Sequence, residues 1–317
     1  MTRFAVRRFL SMLVVLFAIS VLTFLIFQAI PNGDPAQRLA GRLATPEQVQ
    51  IVRRQWGFDK PIYEQYVITM RKIVEGSVVS YAQQGVNVED QIRQDLPVTI
   101  SLALGAGVIW LAVGIVFGVI SAITAGRFLD RSLTVLALVG VSTPVFFLGA
   151  IMLYYLGYKL NVLPNGGYVK LTDDPVGWLT HLLMPWTALS VLFIGVYSRV
   201  LRSTILDTIN EDFVRTARAK GLSERQVLIR HVLRNSLIPI VSLWGLDFAA
   251  VIGGGAILTE SVFNLNGVGQ YAAQSIGRLD APPVLVITML GAFAVVLLGA
   301  VVDVMYAALD PRIRLSG

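Results

Sequence analysis

The run F-L-S-M-L-V-V-L-F-A-I-S-V-L-T-F-L-I-F-Q-A-I, residues 9–30, holds 22 residues without a charge and stands behind Arg3, Arg7 and Arg8. Two readings compete for such an N-terminal stretch, a cleaved secretion signal and a membrane anchor. A signal's apolar region covers only about 7–15 residues and ends in small-residue cleavage chemistry. A helix rising about 1.5 Å per residue needs about 20 residues to cross a bilayer. Gln28-Ala29-Ile30-Pro31 is a poor cleavage site. The run is therefore read as a first transmembrane helix.

Outward from it the same pattern recurs five times, at about 96–125, 133–158, 177–198, 237–258 and 284–302, each nearly free of charge. None alternates in the manner of a strand, and unpaired backbone groups are so costly in lipid that runs this long and apolar must be helices. The expected fold class is an all-α polytopic membrane protein with six spans. Composition agrees, since 55% of the residues are hydrophobic and 15% charged, respectively above and below the shares of soluble domains. With no cysteine, a disulfide framework, a thiolate metal site and a cysteine nucleophile are all excluded. The net charge of +6 would suit nucleic acid, but the basic residues mostly flank apolar runs, as in cytoplasmic membrane loops. The lipid bilayer is the expected partner, not nucleic acid.

Between the first and second spans, residues 31–95 turn polar and carry helix punctuation. Thr45-Pro46-Glu47-Gln48 supplies a cap, a first-turn proline and a capping-box glutamine, and Gly57 ends that helix. A second helix is expected from Pro61 to about Val74, with Ile62, Tyr66, Met70 and Ile73 on one face and Gly76 at its end. The segment reads as a small helical extracytoplasmic insertion.

Orientation follows from the short loops. With the N-terminus inside, the inner segments hold Arg3, Arg7, Arg8, Arg127, Arg131, eight basic residues from Arg199 to Arg234, Arg312 and Arg314, against Lys159, Lys170 and Arg278 outside. The first outer segment carries basic residues too, among them Arg38, Arg42 and Arg93, but segments of that length translocate largely regardless of charge. Both termini are placed in the cytoplasm. Within the spans, Gly114-x-x-x-Gly118 and the triplet Gly253-Gly254-Gly255 read as close helix packing or as hinges, while Pro144 and Pro185 interrupt two spans.

The inner stretch D-F-V-R-T-A-R-A-K-G-L-S-E-R-Q-V-L-I-R-H-V-L-R-N-S-L-I-P, residues 212–239, reads as helix, turn, helix. Ala217, Arg218, Ala219 and Lys220 favour helix, Gly221 suits the left-handed position past a helix end, and Ser223-x-x-Gln226 is a capping box. The small residues Ala217, Ala219 and Gly221 would let a partner's surface approach, the composition of a docking knob. The competing reading is a basic amphipathic helix on anionic headgroups, with Val227, Leu228 and Val232 toward the acyl chains.

The wording R-T-A-R-A-K-G-L-S followed by R-x-x-L-R-N-S-L-I-P resembles the EAA-type cytoplasmic loop of binding-protein-dependent ABC importer permeases, in the dipeptide, oligopeptide and nickel branch. Arg215 stands where the name-giving glutamate would be, and Thr216 at the first alanine position. I-P-N-G-D-P up to Pro35, W-G-F-D-K-P-I-Y-E-Q-Y from Trp56, D-L-P-V-T-I-S-L-A from Asp95, and Glu260-Ser-Val-Phe263 with Gly267-Val-Gly269 are similar to that family as well, Asn266 replacing a usual proline. The resemblance implies a type I ABC importer permease fold divided into 1–30 (N-terminus and first span), 31–95 (extracytoplasmic), 96–309 (permease core, with a coupling segment at 211–235) and 310–317 (cytoplasmic tail). It implies that Arg215, Thr216, Ala217, Arg218, Ala219, Lys220, Gly221, Leu222 and Ser223 fit a groove on an ATP-binding subunit. It further implies a second homologous permease subunit, two ATP-binding subunits and an extracytoplasmic substrate-binding protein, in a bacterial inner membrane. The expected cargo is a di- or oligopeptide, with nickel or another small solute as the alternative.

Asp247 falls near the middle of the fifth span, where a charge costs about 2.5–3.5 kcal/mol on insertion scales. It is expected to line the solute path or to be a hydrogen-bonded packing residue. Glu260 is expected at the outer mouth, facing solute or binding protein, or as a solvated loop charge. Asp303, near the inner end of the last span, reads as structural. His181 and His231 sit at different places in the topology and make no metal site. No G-x-x-x-x-G-K-[ST] occurs, so no catalytic role and no cofactor are expected in this chain, and ATP and Mg are expected on the partner ATPases. Two rivals from other classes are an intramembrane enzyme built on Asp247 and Asp303, and an ion-coupled carrier, which often shows repeat symmetry not seen here.

Overall fold

A computed structural model describes residues 2–29, 34–40, 44–83 and 85–309, with side chains over these except at 2–9, 28, 29, 35, 38, 39, 55, 56 and 302–309. Arg42, Arg312, Arg314 and the tail 310–317 therefore lie outside the described residues, as do the side chains of Arg3, Arg7, Arg8, Arg38 and Asp303.

The first span is α1, Thr2–Phe24, continued by a wider turn over Leu25–Ala29. The insertion holds α2 (Pro35–Ala40), α3 (Pro46–Trp56) and α4 (Ile62–Glu75). Its punctuation is as read: the Thr45 hydroxyl accepts from Gln48 N–H, the Gln48 side chain accepts from Thr45 N–H, and Gly57 closes α3 at φ +73°. Gly76 ends α4. Met70 and Ile73 pack inward, but Ile62, expected on the same face, is exposed, because α4 begins at that residue and its first turn projects beyond the packing.

The permease body comprises α5 (Val88–Ile123), α6 (Phe128–Ser142), α7 (Val145–Met152, widened over Leu153–Lys159) and α8 (Pro175–Thr208). It continues through α9 (Asp212–Ala219), α10 (Glu224–Gln226), a wide turn at Val227–Leu233, α11 (Arg234–Ser236) and α12 (Ile238–Ala250). It ends with α13 (Ile257–Phe263), α14 (Val268–Gly277) and α15 (Ala281–Leu309). Among the described residues there is no strand beyond one isolated bridge, Val79 with Asn87. Five helices among the described residues are long and apolar enough to cross a membrane, within α1, α5, α8, Ile238–Gly255 and α15.

The run expected at 133–158 is not one straight rod. Helices α6 and α7 meet at 98°, and only when this bent pair is counted as one unit do the spans number six; the same geometry is that of a re-entrant loop. Thr143-Pro144 is the cause: proline has no N–H to continue the ladder, and the residue before it is driven to extended backbone, here ψ 120° at Thr143. Pro185 and Pro97, by contrast, sit inside unbroken helices. The second span starts at Val88, capped by the Asn87 side chain, so the boundary read at 95/96 falls within one continuous helix.

The core forms where α8 packs on α5 and α6. An added Cβ at Gly114 would meet Tyr197 Cβ at 2.7 Å, at Gly118 Leu201 Cβ at 2.8 Å, and at Gly195 the Ala137 carbonyl oxygen at 2.5 Å. Gly114-x-x-x-Gly118 is thus the close-packing seam that small residues permit. Gly118→Val is expected to lower stability by about 1–3 kcal/mol through overpacking, read as a lower melting temperature in detergent. Within the later triplet, Gly253 lies against Gly291 backbone while Gly254 takes φ +133° and breaks the helix. Close packing, one of the two roles considered for that triplet, is present at Gly253, and Gly254 places a fixed break in the helix beside it.

Candidate functional site

The elbow at 211–226 is built from short-range contacts. Helix α9 starts after Glu211 and ends when Lys220 leaves helical geometry. Gly221 then adopts φ +79° and donates its N–H to the Arg218 carbonyl at 2.9 Å. Ser223 N–H donates to the Gln226 side chain at 3.2 Å in the expected capping box. Arg218 closes the turn from outside with two bonds to the Glu224 carboxylate, 2.9 and 3.2 Å. Arg215 reaches Asp212 at 3.4 Å and Thr216 donates to the Asp212 carbonyl at 2.9 Å.

Arg215, Thr216, Arg218, Ala219, Lys220, Gly221 and Ser223 are exposed, and Leu222 is half-buried against the core. Ala217 is not available to a partner. It is 4% exposed and, with Val214, seats α9 in the chain's own core beside Val227 and Val232. That burial corrects the docking reading at Ala217, because the turn after Gly221 brings the wide-turn segment back under α9. It also corrects the lipid-facing alternative: Val227 and Val232 are fully buried and Leu228 packs on the same core. The face left open is small and cationic, around Ala219, Lys220 and Gly221.

In the fifth span, Asp247 is half-buried and accepts from the Tyr197 hydroxyl at 2.8 Å. Tyr197 is itself fully buried against Gly114, and one turn from Asp247 the Trp244 indole donates to the Gly107 carbonyl at 3.0 Å. Asp247 is thereby tied to α8, and its neighbour Trp244 to α5.

Glu260 is fully enclosed, which corrects its placement at an open mouth. Thr99 Oγ1 donates to its Oε1 at 2.6 Å and Gln270 N–H to its Oε2 at 2.8 Å; Thr99 in turn accepts from Val268 N–H at 3.0 Å. Gly267 and Gly269 have no room for a Cβ beside this carboxylate. Burial pushes the carboxyl up from the usual range, opposed by the hydrogen bonds from Thr99, Gln270 and Gly269. The loop it holds depends on Asn266, which takes φ +58° and donates its N–H to Gln270 Oε1 at 2.7 Å. A proline could do neither, so the loop geometry here belongs to asparagine.

A second carboxylate hub was not legible in the sequence. Asp130, at the start of α6 and 3% exposed, accepts from Arg202 Nε at 2.7 Å and Nη2 at 2.8 Å, from Ser121 Oγ, and from Gly126 N–H at 2.8 Å. It joins α5, α6 and α8 where they reach the elbow's side of the molecule. At the other end, Asp280 accepts from Ser80 Oγ and from Tyr81 N–H, tying the insertion to the loop before α15. Sequence spacing gives no sign of either pair, since the partners lie 72 and about 200 residues apart. Among the described residues no group of His, Asp and Glu could hold a metal ion.

Residues 114–315 match the family model described as binding-protein-dependent transport system inner membrane component, and residues 1–103 match the model for the N-terminal part of such membrane components. A probable peptide ABC transporter permease of Sinorhizobium fredii is 35% identical over 98% of this chain and 99% of its own. A probable D,D-dipeptide transport system permease of Escherichia coli K12 is 35% identical over 98% and 97%. Among solved structures, an inward-facing MetNI methionine ABC transporter chain superposes with a TM-score of 0.55 at 17% identity, covering 70% of this chain and 97% of that one, a likeness of fold alone.

Proposed function

The chain belongs to the family of binding-protein-dependent transport system inner membrane components, and from that premise we propose that it is one permease subunit of a peptide importer, driven through the elbow at 211–226. Such a subunit is a multi-pass inner-membrane transport component, working with ATPase and extracytoplasmic binding-protein partners. The peptide cargo rests on the relatives, two of which carry peptide or dipeptide transport in their names. A second homologous permease, two ATPases on the inner face that hold ATP and Mg, and both termini in the cytoplasm complete the reading. The distribution of basic residues supports that orientation.

The single observation that carries the mechanism is the elbow's two-sidedness. Val214 and Ala217 lock α9 into the permease core, while Ala219, Lys220 and Gly221 project. A displacement imposed on the projecting face is delivered to α8 and α12 instead of being lost in a flexible loop. ATPase closure drawing two such elbows together would then turn the spans from inward-facing to outward-facing. Asp247, polar and half-buried in the fifth span, is the residue of this chain assigned to the path.

Ala219→Trp tests the docking face without touching the core. It is expected to leave insertion and melting temperature unchanged while reducing ATPase co-purification and ATP-driven peptide uptake in proteoliposomes by at least tenfold. Wild-type uptake by Ala219→Trp, or uptake by the native protein without ATP, would overturn the proposal. Gly221→Pro, which removes both the left-handed turn and the N–H bond to Arg218, is expected to give the same loss.

A further inference from the structure

Helix α4 lies deeper than an element of an extracytoplasmic insertion should. Tyr66 OH is 2.7 Å from Ser20 Oγ, and its ring meets Phe17 and Phe24 edge-on at centroid distances of 6.4 and 5.4 Å. Phe17, Ser20 and Phe24 form one face of α1 within its apolar window Leu10–Phe27. At about 1.5 Å per residue, Ser20 lies roughly 10 Å inside the Phe27 end of that window. A second span bears on the same helix: Met70 and Ile73 pack against the core cluster that includes Leu285 and Val286, which lie about one to two turns inside the Ala281 end of the window Ala281–Val301 of α15. Side chains of α4 thus reach two apolar spans inside their outer ends.

The outward side of α4 matches that depth. Tyr63, Val67 and Val74 fall on one stripe and are 66%, 61% and 88% exposed. Glu64, Arg71 and Glu75 occupy the adjoining stripe, joined in the surface pairs Lys60–Glu64 at 3.6 Å and Arg71–Glu75 at 2.7 Å. An apolar stripe beside a charged one, at the edge of a bilayer, is the pattern of a helix lying in the interface plane.

We propose that α4 is embedded in the leaflet at the Phe27 end of α1, the outer leaflet in the orientation given above, with Tyr63, Val67 and Val74 against acyl chains and the ion-paired stripe among the headgroups. The occupant of this surface is lipid, and the insertion is anchored to the membrane at its waist. The inference rests on the membrane-spanning assignment of α1 and α15 and is independent of cargo and of the elbow.

The absence of cysteine in the chain makes the test direct. Single cysteines introduced as Tyr63→Cys, Val67→Cys and Val74→Cys, with Glu64→Cys and Glu75→Cys for comparison, are spin-labelled in the assembled transporter in nanodiscs of phosphatidylethanolamine and phosphatidylglycerol. Collision with dissolved oxygen is then compared with collision with a water-soluble nickel chelate. At Val67 and Val74 oxygen is expected to exceed the chelate several-fold, with the order reversed at Glu64. Chelate access at the valines equal to that at Glu64 would overturn the proposal in favour of a water-facing helix. Protection from both reagents would overturn it in favour of cover by a second permease or a binding protein.

Discussion

Asp130→Asn is expected to destabilise the assembled protein almost as severely as Asp130→Ala, by about 3 kcal/mol. The reason is the donor count around this carboxylate. Arg202 gives two N–H groups, Gly126 one, and Ser121 a hydroxyl. An asparagine offers one acceptor oxygen and one amide with only donors, so either Arg202 Nε–H or the pair Arg202 Nη2–H and Gly126 N–H must face another donor. The charge that balances the guanidinium is lost at the same time, and removing one partner of an enclosed pair costs far more than the pair is worth in net stability. Arg202 is 32% exposed and can recover some hydration, which holds the figure to the lower part of that range. Arg202→Lys keeps the charge without the planar fork and is expected to fall between the wild type and Asp130→Asn. The measurement is thermal unfolding of the purified complex in detergent. An Asp130→Asn protein melting with the wild type would mean that the hub does not hold α5, α6 and α8 together.

Glu260 behaves oppositely to conservative replacement. Glu260→Ala empties an enclosed site, strands the Gln270 N–H and removes the partner of Thr99, and is expected to cost about 3 kcal/mol. Glu260→Gln should cost about 1 kcal/mol or less at neutral pH. Its oxygen can face the backbone N–H groups while its amide donates to Thr99, whose hydroxyl can turn to accept. The pH dependence has a definite sign. The folded-state carboxyl titrates above its unfolded value because burial outweighs its hydrogen bonds, so the native protein binds the proton more tightly than the unfolded chain. Stability from this site is then fullest below the unfolded value of about 4.3 and declines as pH rises through the folded value. Glutamine has no such decline, so the melting temperature of Glu260→Gln should gain on the wild type as pH rises from the unfolded value of about 4.3 through the folded one. Nearby Asp95, when ionised, adds to the effect. A constant gap across that range would show that Glu260 does not titrate in this way.

What could be read from sequence was what short spacing determines. Thr45 with Gln48, Ser223 with Gln226, and the glycines at 57 and 221 each settle their conformation within a few residues. Span length and apolarity likewise need no partner to be recognised. Pro144 was visible as an interruption, but a 98° turn depends on where α7 finds its packing, against α8 and α13, which no local pattern states. Glu260 was misplaced because its enclosure is supplied by Thr99, 161 residues earlier. Ala217 was misassigned for a related reason: a small residue is equally suited to a partner's approach and to its own chain's approach, and only the fold distinguishes them.

The corner between α6 and α7 constrains more than shape. A helix that stops at Ser142 leaves its last carbonyl oxygens without the amides that would have followed, and the Thr143 hydroxyl satisfies the one at Val139, at 2.7 Å. Hydrocarbon cannot hydrate the remainder, and non-helical backbone at membrane depth persists only against protein or beside water. The exposed Ser142 and Pro144 at the corner therefore call for water or a protein neighbour rather than acyl chains.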